Sequence, residues 1–284
     1  MSAIIALDWG SSNVRAYLIE SGQIIEQRRL EKGIIVEQSY FDTFQELICN
    51  WPKELPVYMC GMIGSKNGWK EAPYSRALCS IIEMLVDMSS YAKRECWLIP
   101  GLYSQHTFLD VMRGEETYLY GLDWNGLVLL PGTHNKWVWM QGYELIYFKT
   151  FMTGELFSLL SSHGLIGSLM SQDEVTETNE LSFREGIMEA QYGGGLLHRL
   201  FAVRARGVHH SSIGLRDFLS GLLIGTELLS ANISSPILII GGYSLCKRYK
   251  KGLHILFPDV KVYLEQEDVA FVRGITNIWK AKNG

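Results

Sequence analysis

The chain has 284 residues, of which 47% are hydrophobic and 20% are charged. This composition excludes disorder and leaves room for about two domains of the usual ~100–200 residues. Lys and Arg number 26 against 30 Asp and Glu, so the net charge is −4. A mildly acidic chain is a poor general binder of nucleic acid or anionic membranes. Apolar runs such as 236–240 fall far short of the ~20 residues that span a bilayer.

The N-terminal residues and the cysteines indicate a cellular compartment. The sequence MSAIIALDWG has no basic region and no cleavage site, so no signal peptide is expected. Five cysteines occur without a CxxC pair or a Cys/His metal spacing. Cys49, Cys60, Cys79 and Cys246 lie in or beside apolar segments and are expected to be buried thiols. We therefore expect a reduced, cytoplasmic protein with no structural metal.

The first half of the chain begins with short β-rich runs. Residues 4–7, 14–19 and 24–25 predict a three-stranded meander. Its first turn holds an acid, Asp8, together with a glycine and two hydroxyls at 10–12. Apolar spacing then predicts a helix at 41–51, a strand at 56–62, a helix at 77–86 and a strand at 96–100. This order indicates an α/β domain with helices covering a mixed sheet.

The second half begins in the same way. Residues 127–130, 137–140 and 145–148 predict another three-stranded meander, and Gly132 follows Gly10 by 122 residues. Duplication would give two similar domains facing a cleft, whereas coincidence remains the alternative because strand–turn–strand units are common. Gly-hydroxyl turns present backbone N–H groups and hydroxyls to an anion, so the pair predicts phosphate binding. The alternative is that both glycines serve only the hairpins.

Several segments carry a resemblance to a known superfamily. LDWGSSNVRAYL at 7–18 and PGTHNKWV at 131–138 resemble the two phosphate loops of the sugar kinase/Hsp70/actin superfamily, and ILIIGG at 237–242 resembles its adenosine motif. GMIGSKNGWKEAPY at 61–74, IPGL at 99–102, VMRGEET at 111–117, TGEL at 153–156 and FLSGLLIGTEL at 218–228 narrow the resemblance to the 2-dehydro-3-deoxygalactonokinase family. These blocks run in order over nearly the whole chain.

The resemblance implies a fold and an activity. The fold would be two ribonuclease-H-like (actin-like ATPase) domains with mixed sheets around a cleft. Residues 1–122 would bind a sugar acid, and residues 123–284 would bind the nucleotide. The activity would be MgATP-dependent phosphorylation of 2-dehydro-3-deoxy-D-galactonate at its 6-hydroxyl, a step of galactonate catabolism. The expected partners are the small sugar acid and ATP, with a homodimer left open and no nucleic acid or membrane.

Motif and resemblance together predict the cofactor site. Asp8 is expected to hold Mg²⁺ directly or through water, because hard oxygen ligands suit that ion; the alternative is a turn cap. The expected ATP-binding residues are Gly10, Ser11, Ser12, Gly132, Thr133, Lys136, Gly241 and Gly242. For Lys136 the alternative is a solvated side chain.

Two carboxylates are candidate catalytic groups. Asp110 precedes Gly132 at a hexokinase-like spacing and could accept the proton of the attacking hydroxyl, although helix capping would also explain it. Glu115, with Glu116 beside it, is the fallback base or Mg²⁺ contact. The alternative is that both are solvated acids in the first turn of a helix.

The expected substrate contacts are polar residues of two loops and one arginine. Ser65, Asn67 and Trp69 lie in a flexible loop after a strand end, where loops of α/β sheets line clefts. Arg113 could bind the substrate carboxylate or serve a structural ion pair. His134 could donate to phosphate or substrate, or only satisfy its turn.

Other functions remain open on sequence alone. A kinase for another small sugar acid such as 2-keto-3-deoxygluconate differs by one hydroxyl configuration, which the sequence does not resolve. A non-catalytic sugar-sensing regulator of the same superfamily would carry an N-terminal helix-turn-helix, but this sequence starts directly in a strand. Actin-like or Hsp70-like ATPases need more residues than 284 for their additional subdomains.

Overall fold

A computed structural model describes residues 3–34, 39–106, 108–170, 179–209, 212–234 and 236–284. Its contacts divide the chain into two compact units. The first contains the described residues up to Asn125, together with Met140–Phe148 and Glu267–Gly284. The second contains Gly126–Trp139 and the described residues of Lys149–Gln266. The expected division near residue 122 does not foresee the two later segments of the first unit.

The first unit is built on a mixed sheet. Its elements are β1 (Ala3–Trp9), β2 (Val14–Glu20), β3 (Gln23–Leu30), α1 (Tyr40–Ile48), β4 (Val57–Gly61), β5 (Tyr74–Ser75), β6 (Val86–Asp87), α2 (Ser89–Ala92), β7 (Cys96–Leu98), β8 (Gly101–Ser104), β9 (Asp110–Met112) and α3 (Glu115–Leu119), with 3₁₀ helices at Met62–Gly64 and Cys79–Met84. The strand order is β3-β2-β1-β4-β7-β6, and β5-β8-β9 form a separate small sheet. β1 runs antiparallel to β2 and parallel to β4. The core includes Leu7, Trp9, Phe44 and Met59.

The predicted meander, the helix beginning near residue 41 and the strands at 56–62 and 96–100 are confirmed. The predicted helix over 77–86 is wrong. Only Cys79–Met84 is helical, as a 3₁₀ helix with Ile81 as its one buried residue, so it lacks the apolar face of a longer helix. The chain then extends because Val86 and Asp87 pair with β7.

The second half of the chain carries the remaining elements. They are β10 (Trp124–Leu130), β11 (Asn135–Gly142), β12 (Glu144–Phe151), α4 (Thr153–Ser162), α5 (Gly164–Gly167), α6 (Glu180–Glu189), α7 (Gly195–His209), α8 (Leu215–Ser230), β13 (Ile237–Gly241), α9 (Tyr243–Leu256), β14 (Val262–Gln266) and α10 (Glu267–Asn283). The strand order β12-β11-β10-β13-β14 matches β3-β2-β1-β4-β7 of the first sheet. The shared order confirms the predicted repeat of a β-meander followed by parallel strands.

Helix α8 forms the centre of the second unit. Most of its residues are buried, and it crosses α6 at glycines. A Cβ atom on Gly186 would lie 2.1 Å from the Phe218 carbonyl oxygen, and one on Gly221 would lie 2.1 Å from that of Phe183. Only glycine allows this approach, which brings the α8 side chains close to the second meander.

Helix α10 belongs to the first unit through side-chain contacts. The Tyr17 hydroxyl donates to Asp268 at 2.7 Å, and the Phe271 ring packs 5.0 Å from the Tyr17 ring and 5.7 Å from the Tyr118 ring. Helix α10 directly follows β14, a strand of the second unit. A division of the chain by sequence order therefore assigns α10 to the second unit.

The thiols differ from expectation at two positions. Cys60 and Cys246 are buried as predicted, but Cys49 and Cys79 are exposed, and all five thiols are free. Cys49 caps the end of α1, and Cys79 opens a 3₁₀ helix that buries only Ile81. In the described part of the chain, no helix is both long and apolar enough to cross a membrane.

Candidate active site

The first Gly-hydroxyl turn, residues 10–13, joins β1 to β2. The Gly10 amide donates to the Asn13 carbonyl at 2.9 Å, which closes a tight turn and leaves the Ser12 side chain exposed. Gly33 packs directly against this turn, since a Cβ there would lie 2.1 Å from the Ser11 carbonyl oxygen. The three residues predicted to bind phosphate therefore lie together at the end of β1. Their role stays a prediction.

Asp8 lies beside that turn within a polar network. Its Oδ2 atom accepts from Arg15 at 2.6 Å and from the Tyr118 hydroxyl at 2.8 Å. Among the described residues, its Oδ1 atom has a single long contact, of 3.8 Å, from the Cys60 thiol. One carboxylate oxygen is thus fixed by the protein, whereas the other keeps its lone pairs for a water molecule or a cation.

Arg15 links Asp8 to the start of α10. Its Nη1 atom pairs with Glu267, while its Nη2 atom holds Asp8 and Tyr118. Burial opposes the charge of the guanidinium, but the negative charges of its carboxylate partners Asp8 and Glu267 outweigh it and raise the pKa of Arg15 above its usual value. Arg15 therefore remains a fixed cation that orients the Asp8 carboxylate.

The second Gly-hydroxyl turn, residues 131–134, joins β10 to β11. The Gly132 amide donates to the Asn135 side-chain oxygen at 2.7 Å, and the Glu155 amide donates to the Thr133 carbonyl at 3.0 Å. A Cβ on Gly154 would lie 2.1 Å from the Gly132 carbonyl oxygen. The turn is thus held by β11 on one side and by the start of α4 on the other.

A buried carboxylate supports this turn from behind. Glu227 on α8 accepts from the Asn135 amide, the Tyr249 hydroxyl and the Trp137 indole, each at 2.7 Å, and from the Thr153 hydroxyl. Burial raises the pKa of Glu227, although its hydrogen bonds act in the opposite direction. Because Asn135 bonds both Glu227 and Gly132, the carboxylate fixes the orientation of the amide that closes the turn.

Lys136 and His134, near the second turn, have partners inside the second unit. The alternative for Lys136, a solvated side chain, is wrong. Its side chain is buried and its ammonium donates to Thr150 at 2.9 Å, because β11 directs it into the fold. His134 lies in the turn, and its Nε2 atom is 2.6 Å from Glu155. Whether either residue contacts phosphate stays a prediction.

A cavity of about 240 Å³ opens beside the second turn. Gly132 and Asn135 line one side, and the others are Thr153, Gly154, Phe157, Arg216, Asp217, Ser220, Leu223, Ile224, Leu245, Arg248 and Tyr249. Gly241 lies near the turn, since a Cβ on it would lie 3.3 Å from Pro131, and Gly242 caps α9. The two glycines lie at the end of β13 as the motif predicts. The cavity wall itself is formed by Leu245, Arg248 and Tyr249 of α9 and not by these glycines.

Sequence reasoning missed all the α8 residues that line this cavity. Asp217, Ser220, Leu223 and Ile224 come from the segment FLSGLLIGTEL or its preceding residue, which was used only as a family motif. Spacings of three and four residues place these side chains on one helix face, and that was the available signal.

Helix α3 begins beside Asp8. Its N-terminal Gly114 has φ 112°, and a Cβ there would lie 3.2 Å from the Cα of Gly61. A Cβ on Gly61 would in turn lie 3.4 Å from Asp8 Oδ1. The close approach of two glycines thus brings the first turn of α3 next to the Asp8 carboxylate.

The acids of this segment lie in different environments. Asp110 opens β9 opposite Ser104, so the reading of Asp110 as a helix cap is wrong. Glu115 is half-buried, and its Oε2 atom accepts from the Arg113 amide at 3.1 Å. Glu116 is fully buried and accepts from the Gly114 amide with both oxygens. Burial and the charge of Glu115 raise the pKa of Glu116 to about 8, so Glu116 is not a solvated acid.

Arg113 fixes the neighbouring loop. It donates to the Ala72 carbonyl at 2.8 Å and stacks 4.2 Å from the Tyr74 ring. Its Nη1 atom lies against Gly64, where a Cβ would come within 2.9 Å. These contacts hold the loop through a carbonyl and a ring rather than through the ion pair that was the alternative for this residue. A contact between Arg113 and the substrate stays a prediction.

The loop 64–69 is held by aromatic packing. The Trp69 ring contacts the rings of Tyr40, Phe41, Phe44 and Tyr91 at centroid distances of 5.5 to 6.5 Å. The Tyr40 hydroxyl donates to the Asn67 carbonyl at 2.8 Å, and the Ser65 hydroxyl is buried without a protein partner among the described residues. The packing gives Trp69 an anchoring role, and substrate contacts by Ser65 and Asn67 stay predictions.

Comparisons with known proteins identify relatives over the whole chain. Residues 8–278 match the model of the family described as 2-keto-3-deoxy-galactonokinase. The chain is 37% identical to the 2-dehydro-3-deoxygalactonokinase of Escherichia coli K12, with 96% of each protein aligned. A Rhizobium meliloti protein assigned the same activity is 31% identical over 87% of this chain and 88% of the relative.

Solved structures agree with the fold. The crystal structure of a Sinorhizobium meliloti protein assigned as a 2-dehydro-3-deoxygalactonokinase matches with a TM-score of 0.90 at 29% identity, covering 98% of this chain and 96% of that one. Component A of the (R)-2-hydroxyglutaryl-CoA dehydratase of Acidaminococcus fermentans matches in fold alone, with a TM-score of 0.53 at 10% identity over 100% of both chains. The repeated sheets and these neighbours confirm the predicted ribonuclease-H-like (actin-like ATPase) fold. The chain therefore belongs to the 2-keto-3-deoxy-galactonokinase family of carbohydrate kinases.

Proposed function

We propose that this kinase transfers the γ-phosphoryl group of ATP to the 6-hydroxyl of 2-dehydro-3-deoxy-D-galactonate, a step of galactonate catabolism. The observation that carries the proposal is the match to one kinase family over residues 8–278. The two Gly-hydroxyl turns support it, because the hydroxyl side chains and the other backbone N–H groups of such turns can bind phosphate.

The cavity of the second unit is proposed as the adenosine site. Phe157, Leu223 and Leu245 give it apolar walls against which a purine can pack, and Asp217 and Ser220 supply polar groups at its edge. Gly132 lines the same cavity, so a nucleotide seated there would direct its phosphates toward the second turn.

Asp8 is proposed as the protein's contact to Mg²⁺. The fit rests on its Oδ1 atom, which has no close protein donor in the described residues, whereas Oδ2 is held by Arg15 and Tyr118. Mg²⁺ is commonly bound by one or two carboxylates together with waters and substrate phosphates. The ion would neutralise charge on the phosphates, while Arg15 and Tyr118 keep the carboxylate oriented.

Glu115 is proposed as the general base in preference to Asp110. The approach of Gly114 to Gly61 brings the first turn of α3 next to Asp8, whereas Asp110 lies four residues earlier in a small separate sheet. The 6-hydroxyl oxygen attacks the γ-phosphorus, its proton passes to the Glu115 carboxylate, and ADP leaves with the bridging oxygen.

Paired variants decide between the two carboxylates. Glu115→Gln should lower kcat by about 10²–10⁴-fold with little change in KM for ATP, whereas Asp110→Asn should lower it less than about tenfold. Circular dichroism of both variants controls for folding. A large loss of kcat in Asp110→Asn, with near-normal turnover in Glu115→Gln, would identify Asp110 as the base instead.

A substrate panel tests the proposed function. ATP would be mixed with 2-dehydro-3-deoxygalactonate, with 2-keto-3-deoxygluconate and with neutral hexoses, and ADP release would be followed by a coupled assay. We expect kcat/KM to be highest for the galactonate derivative. A higher value for any other acceptor would contradict the proposed substrate, and release of ADP without an acceptor would indicate an ATPase.

A further inference from the structure

A second, larger groove lies between α6 and α9. Its volume is about 850 Å³, which is ample for a small metabolite. The groove is lined by Glu180, Phe183 and Arg184 of α6 and by Tyr243, Ser244, Lys247, Arg248, Lys250, Lys251, His254 and Ile255 of α9. Nothing in the proposed kinase reaction uses it.

Cations dominate this groove although the protein is acidic overall. Five of its lining residues are Lys or Arg, and Glu180 is the one acidic lining residue. Lys251 pairs with Glu180, and Arg248 pairs with Asp217 at 2.7 Å. Two of the five positive charges therefore already have a carboxylate partner.

The other three cations have no carboxylate partner among the described residues. They are Arg184, Lys247 and Lys250, and the Lys247 ammonium lies 4.2 Å from the centre of the Tyr243 ring. Arg184 and Lys247 are exposed, so their charges face the solvent in the groove. Like charges held on two packed helices repel one another, and an anion placed between them removes that repulsion.

We propose that this groove binds a small compound that carries two or more phosphate groups. Three unpaired cations from two helices match a ligand with several negative charges better than a single carboxylate. The planar guanidinium of Arg184 can hold two phosphate oxygens at once, while the lysines act as point charges.

The groove adjoins the proposed nucleotide cavity at one residue. Arg248 lines both, and its guanidinium packs 4.5 Å from the centre of the Phe183 ring in the wall between α6 and α9. If the cavity is the ATP site, as proposed above, an anion in the groove should change KM for ATP more than kcat. This kinetic consequence rests on the proposed function, whereas binding itself does not.

Calorimetry with sodium tripolyphosphate tests binding directly. The titration is run near physiological salt, where long-range attraction is largely screened, and with ADP saturating the nucleotide site. The groove variant is Arg184→Glu with Lys250→Glu. The matched control is Lys53→Glu with Lys280→Glu, two exposed lysines of the first unit that give the same change in net charge.

The expected result is one tripolyphosphate site in the wild type and the control. Its affinity should be lowered about tenfold or more in the groove variant, since two attractive contacts become repulsive. The kinase activity of the groove variant without added anion should be normal. Two results would overturn the proposal: equal affinity for tripolyphosphate in the groove variant and the control, or tighter binding of duplex DNA than of tripolyphosphate to the groove.

Discussion

Replacing Glu227 with glutamine tests whether a buried carboxylate holds the second phosphate turn. In the wild type this carboxylate accepts hydrogen bonds from Asn135, Trp137, Thr153 and Tyr249. A glutamine side chain has the same shape but presents one oxygen and one NH₂ group. The NH₂ group must therefore face groups that are themselves donors.

The cost follows from the number of donors that lose their acceptor. Three of these four donors bond to Oε2, whereas the Trp137 indole bonds to Oε1. The orientation that keeps most of these hydrogen bonds therefore points the NH₂ group at the indole. That leaves two buried donors unpaired, at about 1–3 kcal/mol each. Glutamine carries no charge, so the cost of burying the carboxylate, which raises the pKa of Glu227, disappears and offsets part of this loss. We expect the free energy of unfolding to fall by about 2 kcal/mol.

Urea unfolding followed by tryptophan fluorescence measures this change, and KM for ATP reports on the turn. KM should rise several-fold because Asn135 loses the partner that orients it toward Gly132. The matched control is Glu185→Gln, which removes a partly exposed ion pair with Arg206 and should cost less than about 1 kcal/mol. Equal stability and equal KM in the Glu227 variant and the wild type would show that this carboxylate does not hold the second turn.

Three further outcomes follow from the site. Between pH ~4.5 and ~8 the folded state retains the Glu116 proton and the unfolded state has lost it, because the pKa is raised on folding. Relative to Glu116→Gln, the stability of the wild type should therefore fall with rising pH, by up to about 1.4 kcal/mol per pH unit. Parallel stability profiles of the two proteins from urea unfolding would contradict this. Gly154→Ala places a Cβ against the Gly132 carbonyl and should raise KM for ATP at least several-fold, whereas Gly193→Ala, which meets no atom within 4 Å, should not. Asp8→Ala should weaken the Mg²⁺ dependence of turnover without unfolding the protein, and an unchanged metal titration would leave Asp8 as a turn cap.

The repeated meander was predictable because its signals are local. Alternating apolar runs and Gly-hydroxyl turns occur within about 20 residues in each half, and both turns lie at the expected strand ends. The helix beginning near residue 41 was equally clear, since Phe44, Leu47 and Ile48 share one buried face.

The supports of the site were not predictable from such patterns. Glu227 meets Asn135 across 92 residues, and Arg15 meets Glu267 across 252 residues. No local periodicity reports such pairs, because they depend on how complete elements pack. The same holds for Lys136, whose burial against Thr150 follows from the face of β11 on which it lies.

The position of the phosphoryl group on the product is the most direct test of the proposed reaction. The product formed from ATP and 2-dehydro-3-deoxygalactonate would be examined by phosphorus–proton correlation NMR. We expect a phosphate ester coupled to the two protons of carbon 6, formed by the wild type and formed more slowly by Asp8→Ala. Inorganic phosphate as the only new phosphorus species, or an ester at another carbon, would contradict it.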